Sequence, residues 1–420
     1  MVTFTVLGGS SVAVPEMLSA IIPHMNGQRA LHVVLHGRDA HKLELVARVC
    51  QGMAKDIPGL SVSSTTDLET ALSGADFVLN QVRVGGLGAR AYDETFPHHW
   101  DIPGEETVGP GGAANAMRTV PVVLELCRAI EKYAPNCTLL TFSNPSSVVQ
   151  RAISLTTKLN AIGLCDAPYT LHNIVAKTLQ VAPSEVDTQY VGMHHFGWIT
   201  SAIDNGTERL PDVLADDAAC KALGLEPEIG RVTGTLPHPY FRYFFHPDRM
   251  VKKQRSATQP RAKELQQLEG DLLAAYEHYS GNGKPEAVTR RSAIWYEAVV
   301  IPVLFALAFA EPTSLAVNVV NNGIIKQLPD DTVIEVSAKI QDGKIITPSP
   351  RRLPSDAMLG MLYANAAYEK TLVDAILNDS ADMLLQGFLI NPLIPSYDVA
   401  KQIVAEIWPT RGWPKEQTPA

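Results

Sequence analysis

The feature that most constrains this chain is a glycine-rich turn near its N-terminus, between a short apolar strand and a helix. The predicted strand covers residues 1–7, and the helix begins near Glu16. Such a turn lets the backbone approach a pyrophosphate and places that anion at the helix N-terminus. The dinucleotide fingerprint G-x-G-x-x-G/A maps onto Gly8, Ser10 and Ala13, with serine at the middle glycine. The predicted nucleotide contacts of this loop are Gly8, Gly9, Ser10 and Ser11.

Apolar strands and helices alternate after this turn. The strand candidates are 31–35, 60–64, 76–82 and 138–142, and the helix candidates between them are 41–53, 67–72 and 119–133. This alternation predicts an α/β fold with a Rossmann-type, doubly wound parallel sheet, in which ligands bind at the carboxyl ends of the strands. Residues that follow the predicted strands should therefore converge with the turn. They include Asn80 as a cofactor contact, Arg83 and Asn144.

The length of 420 residues favours more than one domain. We predict a dinucleotide-binding domain at 1–165, a mixed α/β domain for substrate, metal and oligomer contacts at 166–410, and a tail at 411–420. The elements predicted in the second domain are helices at 261–279 and 286–309, and strands near Tyr190 and at 315–320.

The composition limits the kinds of partner and the cellular compartment that we expect. The net charge of −9 gives no reason to expect nucleic acid or an anionic membrane as a partner. The five cysteines lack C-x-x-C spacing, which is typical of reduced thiols in a cytoplasmic protein. No leader segment is apparent, and the longest apolar run, 298–310, is shorter than the roughly 20 residues of a membrane span. We expect a cytoplasmic protein.

The residues after the second strand do not decide whether the nucleotide is NAD or NADP. In an NAD-binding fold, an acidic residue at this strand end accepts the ribose hydroxyls. Gly37 stands at that position and Arg38 follows it, a combination that suits the 2′-phosphate of NADP. Alternatively, the turn after the strand is shifted and Asp39 accepts the ribose hydroxyls of NAD. Both Arg38 and Asp39 are therefore candidate cofactor contacts, and NAD is expected without excluding NADP.

From residue 81 onward, a series of motifs appears in fixed order. They are QVRVGG at 81–86, RAYDE at 90–94, GEETVGPGG at 104–112, MRTVP at 117–121, NP at 144–145 and GLCD at 163–166. Further matches are His195, Pro237-x-x-Tyr240, the Arg261-Ala262 helix start, NVVNNG at 318–323 and LP at 328–329. This ordered set resembles glycoside hydrolase family 4, a group of NAD-dependent glycosidases related in fold to lactate and malate dehydrogenases. The resemblance covers nearly the whole chain.

The resemblance implies a redox route to hydrolysis. NAD⁺ removes hydride from carbon 3 of the sugar, and the resulting ketone acidifies the proton at carbon 2. A base removes that proton while a divalent metal stabilises the enediolate. The aglycone leaves, water adds, and the hydride returns to carbon 3, so the cofactor is regenerated in each turnover.

The resemblance also implies the metal ligands. Cys165 and His195 match the ligand positions, and His194 is an alternative ligand because many relatives have asparagine there. A thiolate and an imidazole leave coordination positions open for sugar hydroxyls. Mn²⁺ is the ion expected from the family. Taken alone, such a cysteine is more typical of a protein core, and the ordered match favours the metal site.

Two further residues match catalytic positions. Tyr240 matches the base at carbon 2, and Tyr243 is its rival. A phenol, with an unperturbed pKa near ~10, needs a nearby cation to act near neutrality, which Arg242, Arg261 or the metal would supply. Asp166 matches a position where aspartate accompanies α-glycosidases and protonates the leaving oxygen. This favours α-linkages.

The substrate is expected to carry an anionic group at carbon 6. Arg83, Arg90, Asp93 and Asn144 match positions that line the sugar pocket, and Arg261 and Arg291 are added as substrate contacts. Arginine forks suit a 6-phosphate, a 6-sulfonate or a uronic acid. Alternatively, an arginine here pairs only with a neighbouring carboxylate.

Several positions depart from the family pattern, among them Glu105 for a usual glutamine and Gly37 for the acid after the second strand. They lie near the expected site, so the reaction is better defined than the substrate. We therefore predict an NAD-dependent glycosidase, and the alternative is a lactate/malate-type NAD(P)-dependent oxidoreductase. The partners expected are a small glycoside and further copies of the chain, as a homodimer or homotetramer.

Overall fold

Six parallel strands form the first half of the sheet in this computed structural model, which describes residues 1–417. In chain order they are β1 (Val2–Leu7), β2 (Leu31–His36), β3 (Leu60–Thr65), β4 (Phe77–Asn80), β5 (Thr138–Thr141) and β6 (Asn160–Gly163). They lie side by side in the order β3-β2-β1-β4-β5-β6. This is the strand order of a Rossmann-type fold, and it confirms the predicted N-terminal architecture.

Helices alternate with these strands. They are α1 (Val14–Ile21), α2 (Ala40–Ala54), α3 (Leu68–Leu72), α4 (Gly86–Asp93), α5 (Gly109–Tyr133) and α6 (Ser146–Thr156). Asp39 caps α2 by accepting a hydrogen bond from the Lys42 amide at 3.0 Å, and Asp67 caps α3 through the Thr70 amide at 2.7 Å. These two caps hold the turns that follow β2 and β3.

The second half of the chain continues the same sheet with antiparallel strands. They are β7 (Val186–Met193), β8 (Phe196–Asp204), β9 (Thr207–Glu208), β10 (Leu236–Pro237), β11 (Thr313–Val320), β12 (Val333–Gln341) and β13 (Lys344–Ile346). From β6 the order continues as β11-β12-β7-β8-β10, with β13 beside β12 and β9 beside β8. Asn318 of β11 pairs with Gly163 of β6 at the junction. The mixed α/β character predicted for this half is confirmed.

Helices cover this second half as well. They are α7 (Ala167–Leu179), α8 (Leu210–Ala215), α9 (Asp217–Ala222), α10 (Pro227–Thr233), α11 (Phe241–Phe245), α12 (Pro247–Ser256), α13 (Arg261–Glu277), α14 (Ile301–Phe309), α15 (Asp356–Leu377), α16 (Ala381–Ile390) and α17 (Tyr397–Ile407). None of the helices in the described part of the chain has both the length and the apolar character that a membrane span requires.

Two predicted helices differ from the structure. Helix α5 starts at Gly109, well before the predicted start at residue 119. The predicted helix 286–309 is wrong as one element, because it divides into a 3-10 turn at Glu286–Arg291, a π turn at Tyr296–Val300 and α14. Ser292, whose φ is 53°, follows the 3-10 turn in the left-handed region, where a helix cannot continue.

Two of the hydrophobic cores contain residues from both halves of the chain, and a third contains residues of the second half alone. One core packs Val6 and Leu18 of the first half with Tyr276 and Phe305 of the second. Another packs residues of α5 and α6 with residues of α15, α16 and α17. The division of the chain at residue 165 into two domains stays a prediction. The predicted tail, 411–420, has its last three residues outside the described part.

Candidate active site

The turn after β1 is held tightly against the end of β2. Gly8 has a φ of +94°, and the amides of Gly8 and Gly9 both donate to the His36 carbonyl, at 3.1 and 2.7 Å. A Cβ atom on Gly9 would lie 2.8 Å from the His36 nitrogen, so a side chain has no room there. Ser10 and Ser11 follow, before α1. This close-packed turn at a helix N-terminus fits the pyrophosphate of a dinucleotide.

Tyrosines from the second half support this loop. The Tyr276 hydroxyl donates to the Val12 carbonyl at 2.9 Å, and the Tyr296 hydroxyl donates to Gln81 Oε1 at 2.8 Å. Gln81 in turn donates through Nε2 to the Gly8 carbonyl at 3.3 Å. The loop is therefore positioned by residues of the second half of the chain as well as by its own strand.

The other predicted cofactor residues lie at neighbouring strand ends. Asn80 ends β4 and is buried, with its Nδ2 atom 3.4 Å from Thr141 Oγ1. Arg38 and Asp39 follow β2 and are both exposed. The Asp39 carboxylate caps α2, whereas Arg38 makes no ion pair with any side chain that the structure describes. The strand ends thus bring the predicted cofactor residues to the same edge of the sheet as the loop.

Cys165, His194 and His195 form a buried cluster whose potential ligand atoms all lie within 4.8 Å of one another. His194 and His195 make the tight turn between β7 and β8, where His195 has a φ of 61°. One thiol and two imidazoles are a donor set that suits a transition metal. Both histidines that the sequence left as alternatives lie in the cluster. Burial raises the pKa of the Cys165 thiol, so binding as a thiolate depends on a cation.

Polar neighbours orient these two imidazoles. Asn144 Oδ1 lies 3.1 Å from His194 Nε2, and Thr107 Oγ1 lies 2.9 Å from His195 Nδ1. The fully buried Glu335 lies with Oε1 3.9 Å from His194 Nδ1. Partners of this kind fix ring orientation in metal sites. Asn144, predicted as a sugar contact, lies beside the cluster.

Tyr240 lies against both the cluster and an acidic residue. Its ring centroid is 3.9 Å from that of His195, and its hydroxyl donates to Glu105 Oε1 at 3.1 Å. Burial, and next the Glu105 charge, raise the pKa of Tyr240 well above its usual value, whereas Arg90 lowers it. Tyr240 lies beside the cluster, where its phenolate could accept a proton. The phenolate forms near neutral pH only when a cation offsets the Glu105 charge.

The two arginines expected beside Tyr240 differ in position. Arg242 lies 5.8 Å from the ring centroid of Tyr240 and 5.1 Å from that of the rival Tyr243. Burial and the Glu105 charge raise the pKa of Tyr243, and the Arg242 charge opposes this rise. Arg261 is exposed and pairs with Glu264 at 2.6 Å.

Burial lowers the pKa of Arg242, but the charges of Tyr243 and Tyr240 raise it overall, so Arg242 and Tyr240 interact. Arg90 also opposes the raised pKa of Tyr240. Arg242, Arg90 and the metal are thus the candidate cations, and a role for Arg261 stays a prediction.

Asp166 directly follows Cys165 and precedes α7. Its side chain makes no capping hydrogen bond to that helix. Burial is the largest effect on Asp166 and raises the pKa of its carboxyl group, while His194 lowers it. A carboxyl group with a raised pKa beside a site for sugar hydroxyls is suited to donate a proton.

Arginines gather next to this pocket. Arg83 and Arg90 both pair with Glu106, and Arg90 also pairs with Glu94 through Nε at 2.7 Å. Arg291 stacks over Trp295 at 5.0 Å from the ring centroid. Burial lowers the pKa of Arg291, and the charges of the other three predicted arginines, Arg90, Arg83 and Arg261, lower it further. Three arginine charges therefore oppose that of Arg291, with Glu16 acting in the opposite direction, and a bound anion would relieve this repulsion.

Asp93 is buried and pairs with an arginine outside the predicted set, although it interacts electrostatically with Arg83 and Glu106. It is 1% exposed and forms an ion pair with Arg118, whose guanidinium also donates to the Gly412 carbonyl. The Asp93 carboxylate therefore holds a buried arginine where the sequence predicted exposure to a sugar. Arg261, with its side chain 61% exposed, lies at the outer limit of the arginine group.

The three consecutive residues 105–107 join the two parts of the site. Glu105 contacts Tyr240, Glu106 pairs with Arg83 and Arg90, and Thr107 contacts His195. Sequence reasoning included this segment in a motif but assigned none of its side chains a role. It also missed Glu335, which has no local motif and reaches the cluster only through strand pairing.

Fold and site together define a dinucleotide-binding α/β protein of the dehydrogenase type with a candidate metal centre. The lactate dehydrogenase of Eimeria maxima has the same fold, with a TM-score of 0.54 at 14% identity, over 90% of this chain and 95% of that one. This likeness confirms the predicted dehydrogenase-like fold class.

The chain belongs to family 4 of the glycosyl hydrolases. The model of family 4 glycosyl hydrolases matches residues 3–181, and the model of the family's C-terminal domain matches residues 190–394. The resemblance seen in the sequence motifs is thereby confirmed. The prediction of a glycosidase is also confirmed, in preference to the alternative of a simple oxidoreductase.

Several named relatives match this chain over nearly its full length and over nearly the whole of their own. A probable 6-phospho-beta-glucosidase of Bacillus subtilis is 29% identical, over 96% of this chain and 94% of that protein. The 6-phospho-beta-glucosidase of Thermotoga maritima, solved with manganese, NAD⁺ and glucose-6-phosphate, has a TM-score of 0.88 at 26% identity, covering 97% of each chain. A 6-phospho-alpha-glucosidase from gut microorganisms, solved with NAD and Mn²⁺, has a TM-score of 0.87 at 25% identity, over 98% and 99% of the two chains. The expected oligomer and the cytoplasmic location stay predictions.

Proposed function

We propose that this protein hydrolyses glycosides of 6-phosphorylated hexoses, with NAD as a catalytic cofactor and a divalent metal, Mn²⁺, at Cys165, His194 and His195. The relatives that bind NAD, manganese and glucose-6-phosphate support the three ligands together. Among the described residues, the glycine loop, the Cys/His cluster and the arginine group provide one fitting place for each.

The observation that carries the proposal is the junction at residues 105–107. These neighbours contact the candidate base Tyr240, the arginines and the cluster histidine His195. A sugar whose hydroxyls reach the cluster would therefore have its carbon-6 group within reach of the arginines. A lactate-type oxidoreductase has no use for this combination of a thiol, a phenol and an arginine group.

The bound NAD would accept hydride from carbon 3, and the metal would stabilise the negative charge that builds up after that oxidation. Within this site, Tyr240 takes the proton from carbon 2. Asp166 donates a proton to the leaving oxygen, because its raised pKa keeps a proton on the carboxyl group closer to neutrality. Thr107 and Asn144 hold the imidazoles in place.

The arginines select the substituent at carbon 6. Arg291 forms no ion pair with the side chains that the structure describes, and three neighbouring arginines oppose its charge more strongly than Glu16 stabilises it. A phosphate carries about −1.5 to −2 charge at neutral pH and accepts several hydrogen bonds, so it relieves this repulsion more than a singly charged sulfonate does. We therefore place 6-phosphate ahead of 6-sulfonate, and a uronic acid last.

Nitrophenyl glycosides test the proposal directly. Purified protein is incubated with α- and β-glucosides carrying a 6-phosphate, a 6-sulfonate or an unmodified carbon 6, with and without NAD⁺ and Mn²⁺. We expect aglycone release from a 6-phosphate substrate, dependent on both additions, without net accumulation of NADH. Stoichiometric NADH with an intact glycoside would instead establish an oxidoreductase.

A second experiment tests the metal centre apart from turnover. The Cys165→Ser and His195→Ala variants and a matched Cys220→Ser control, which alters a buried cysteine elsewhere, are dialysed against Mn²⁺ and their metal content is measured. We expect the first two to lose bound metal and the control to retain it. Full metal content in Cys165→Ser would remove this residue from the ligand set.

A further inference from the structure

Two unusual positions of the nucleotide loop are in direct contact. Ser10 stands at the middle glycine of the dinucleotide fingerprint, and Gly37 stands at the position of the acid after β2. A Cβ atom on Gly37 would lie 2.9 Å from both the Cβ and the Oγ of Ser10. The Ser10 side chain therefore occupies the space that any side chain at position 37 would need. The two departures form one feature of the loop.

This feature removes the group that distinguishes the two nicotinamide dinucleotides. An acidic side chain at the end of the second strand binds the ribose hydroxyls of NAD and repels the 2′-phosphate of NADP. Two acids near this strand end, Asp39 and Asp67, use one carboxylate oxygen each to cap α2 and α3. Neither carboxylate is therefore fully available to the ribose.

A free guanidinium takes its place. Arg38 is exposed, it forms no ion pair within the described chain, and it is close enough to the end of β2 to lower the pKa of His36. The neighbouring Lys42 differs, because its ammonium group pairs with Glu269 at 2.7 Å. A guanidinium without a partner, at the position next to the ribose, provides forked donors for a phosphate.

We propose that the nucleotide site accepts the 2′-phosphate of NADP⁺ through Arg38, so that the protein binds NADP⁺ at least as tightly as NAD⁺. The inference rests on the proposed function only in requiring a dinucleotide at the glycine loop. Binding of NAD⁺ itself tests that requirement separately.

Calorimetric titration of the purified protein with each nucleotide tests the inference. We expect a Kd for NADP⁺ no higher than that for NAD⁺, and adenosine 2′,5′-bisphosphate to bind more tightly than adenosine 5′-monophosphate. NAD⁺ binding about tenfold or more tighter than NADP⁺ would overturn the inference and leave the proposed function intact. If neither dinucleotide binds, the proposed function fails as well.

Substitution of Arg38 assigns the effect to one side chain. We expect Arg38→Ala to weaken NADP⁺ binding by about tenfold or more, and NAD⁺ binding by less than about threefold, since only the phosphate contact is lost. Arg128→Ala removes an exposed arginine of α5 and should change neither Kd. An equal loss for both nucleotides in Arg38→Ala would show that Arg38 does not recognise the 2′-phosphate.

The reverse exchange tests the contact between Ser10 and Gly37. The double variant Ser10→Gly/Gly37→Asp restores an acid and makes space for it, so it should favour NAD⁺ over NADP⁺ by about tenfold or more. The single variant Gly37→Asp should lower the melting temperature, because its Cβ clashes with Ser10, and Ser10→Gly should restore that temperature. An unchanged nucleotide preference in a folded double variant would contradict the inference.

Discussion

The hydroxyl of Tyr240 lies against a carboxylate, not a cation, and this contact determines how the residue can serve as a base. Glu105 accepts its hydrogen bond at 3.1 Å and raises the pKa of Tyr240, as burial also does. The protonation state of this single side chain therefore depends on charges that lie within a few ångströms of it.

Replacing Glu105 should shift the pH dependence of turnover. In Glu105→Gln the negative charge next to Tyr240 is lost, so the pKa of Tyr240 falls. The rising limb of kcat/KM then moves to lower pH by about one unit or more. Measurement of kcat/KM on the preferred nitrophenyl glycoside from pH 5 to 10 tests this.

The control for this experiment separates the two tyrosines. Tyr240→Phe should abolish turnover, whereas Tyr243→Phe should retain it together with the wild-type limb. Loss of turnover in Tyr243→Phe, with turnover retained in Tyr240→Phe, would assign the base to Tyr243. The two Phe variants decide this because the Glu105 charge raises the pKa of both tyrosines.

Glu369 provides a pH-dependent contribution to stability. Burial raises the pKa of this carboxyl to about 7 from 4.5, although Asn365 donates a hydrogen bond to it at 3.1 Å. Between these two values the folded state holds a proton that the unfolded state has released. The free energy of unfolding therefore falls as the pH rises from 4.5 to 7, by about 3 kcal/mol at most.

Denaturant unfolding of the wild type and Glu369→Gln at pH 5, 6, 7 and 8 isolates this contribution. The amide does not titrate, so the variant should gain stability relative to the wild type as the pH rises. A difference between the two proteins that stays constant with pH would contradict the raised pKa.

The helices show how far the element scale could be predicted. Strands and helices of the first half follow the apolar periodicity closely, with β2 and α2 within a residue or so of their predicted ends. Helix α5 was predicted too short because Gly109, Gly111 and Gly112 look like a loop. In the structure a Cβ on Gly111 would lie 2.2 Å from the Glu105 carbonyl, so these glycines permit close packing inside a helix. The periodicity of the apolar residues does not reveal such a contact.

The loop between β1 and α1 should be sensitive to a single added methyl group. Gly9→Ala would place Cβ 2.8 Å from the His36 nitrogen and 2.9 Å from Leu35 Cα, both backbone atoms of β2. We expect a loss of about 1–3 kcal/mol in the free energy of unfolding, together with weaker nucleotide binding.

Gly270 in α13 is the matched control for this loop substitution. A methyl group added at this position would extend into open space, with no atom of a neighbouring element within 4 Å. Gly270→Ala should be neutral or more stable by up to about 1 kcal/mol, because alanine favours the helix. Equal effects of the two substitutions in thermal or denaturant unfolding would show that the loop is not closely packed.

At the scale of the whole molecule, distant parts of the chain meet in one continuous sheet. The ordered motifs predicted Cys165, His195 and Tyr240, and the structure brings them together. Glu335 could not be predicted, because it reaches His194 only through a row of strand pairs that joins Asn318 with Glu335. Pairings of this kind depend on the register of the second half, which local sequence does not determine.

The Arg118 ion pair links helices and the C-terminal segment. Arg118 of α5 contacts Asp93 at the end of α4 and the Gly412 carbonyl, and all three residues are buried. Arg118→Met should lower the free energy of unfolding by about 1–3 kcal/mol, because the buried Asp93 carboxyl loses its hydrogen-bond donor. Burial already raises the pKa of Asp93 to about 8, so without Arg118 this carboxyl is protonated near neutrality.

The double variant Arg118→Met/Asp93→Asn separates this effect from lost packing. We expect it to recover part of the lost stability in denaturant unfolding, and a larger part above pH 8, because the amide, unlike the carboxyl, does not ionise. A double variant as unstable as the sum of the two single variants would show that the ion pair itself carries no coupling.

The contact between Ser10 and Gly37 also sets an order of mutations in the descent of this protein. A chain with an acid at position 37 has no space for a serine at position 10, because the Cβ atoms would approach to 2.9 Å. Loss of the acid creates that space, whereas gain of the serine first produces a clash. From a chain with the full dinucleotide fingerprint, the route without a clash therefore places glycine at 37 before serine at 10. The intermediate on that route carries glycine at both positions and already lacks the charge that excludes a 2′-phosphate.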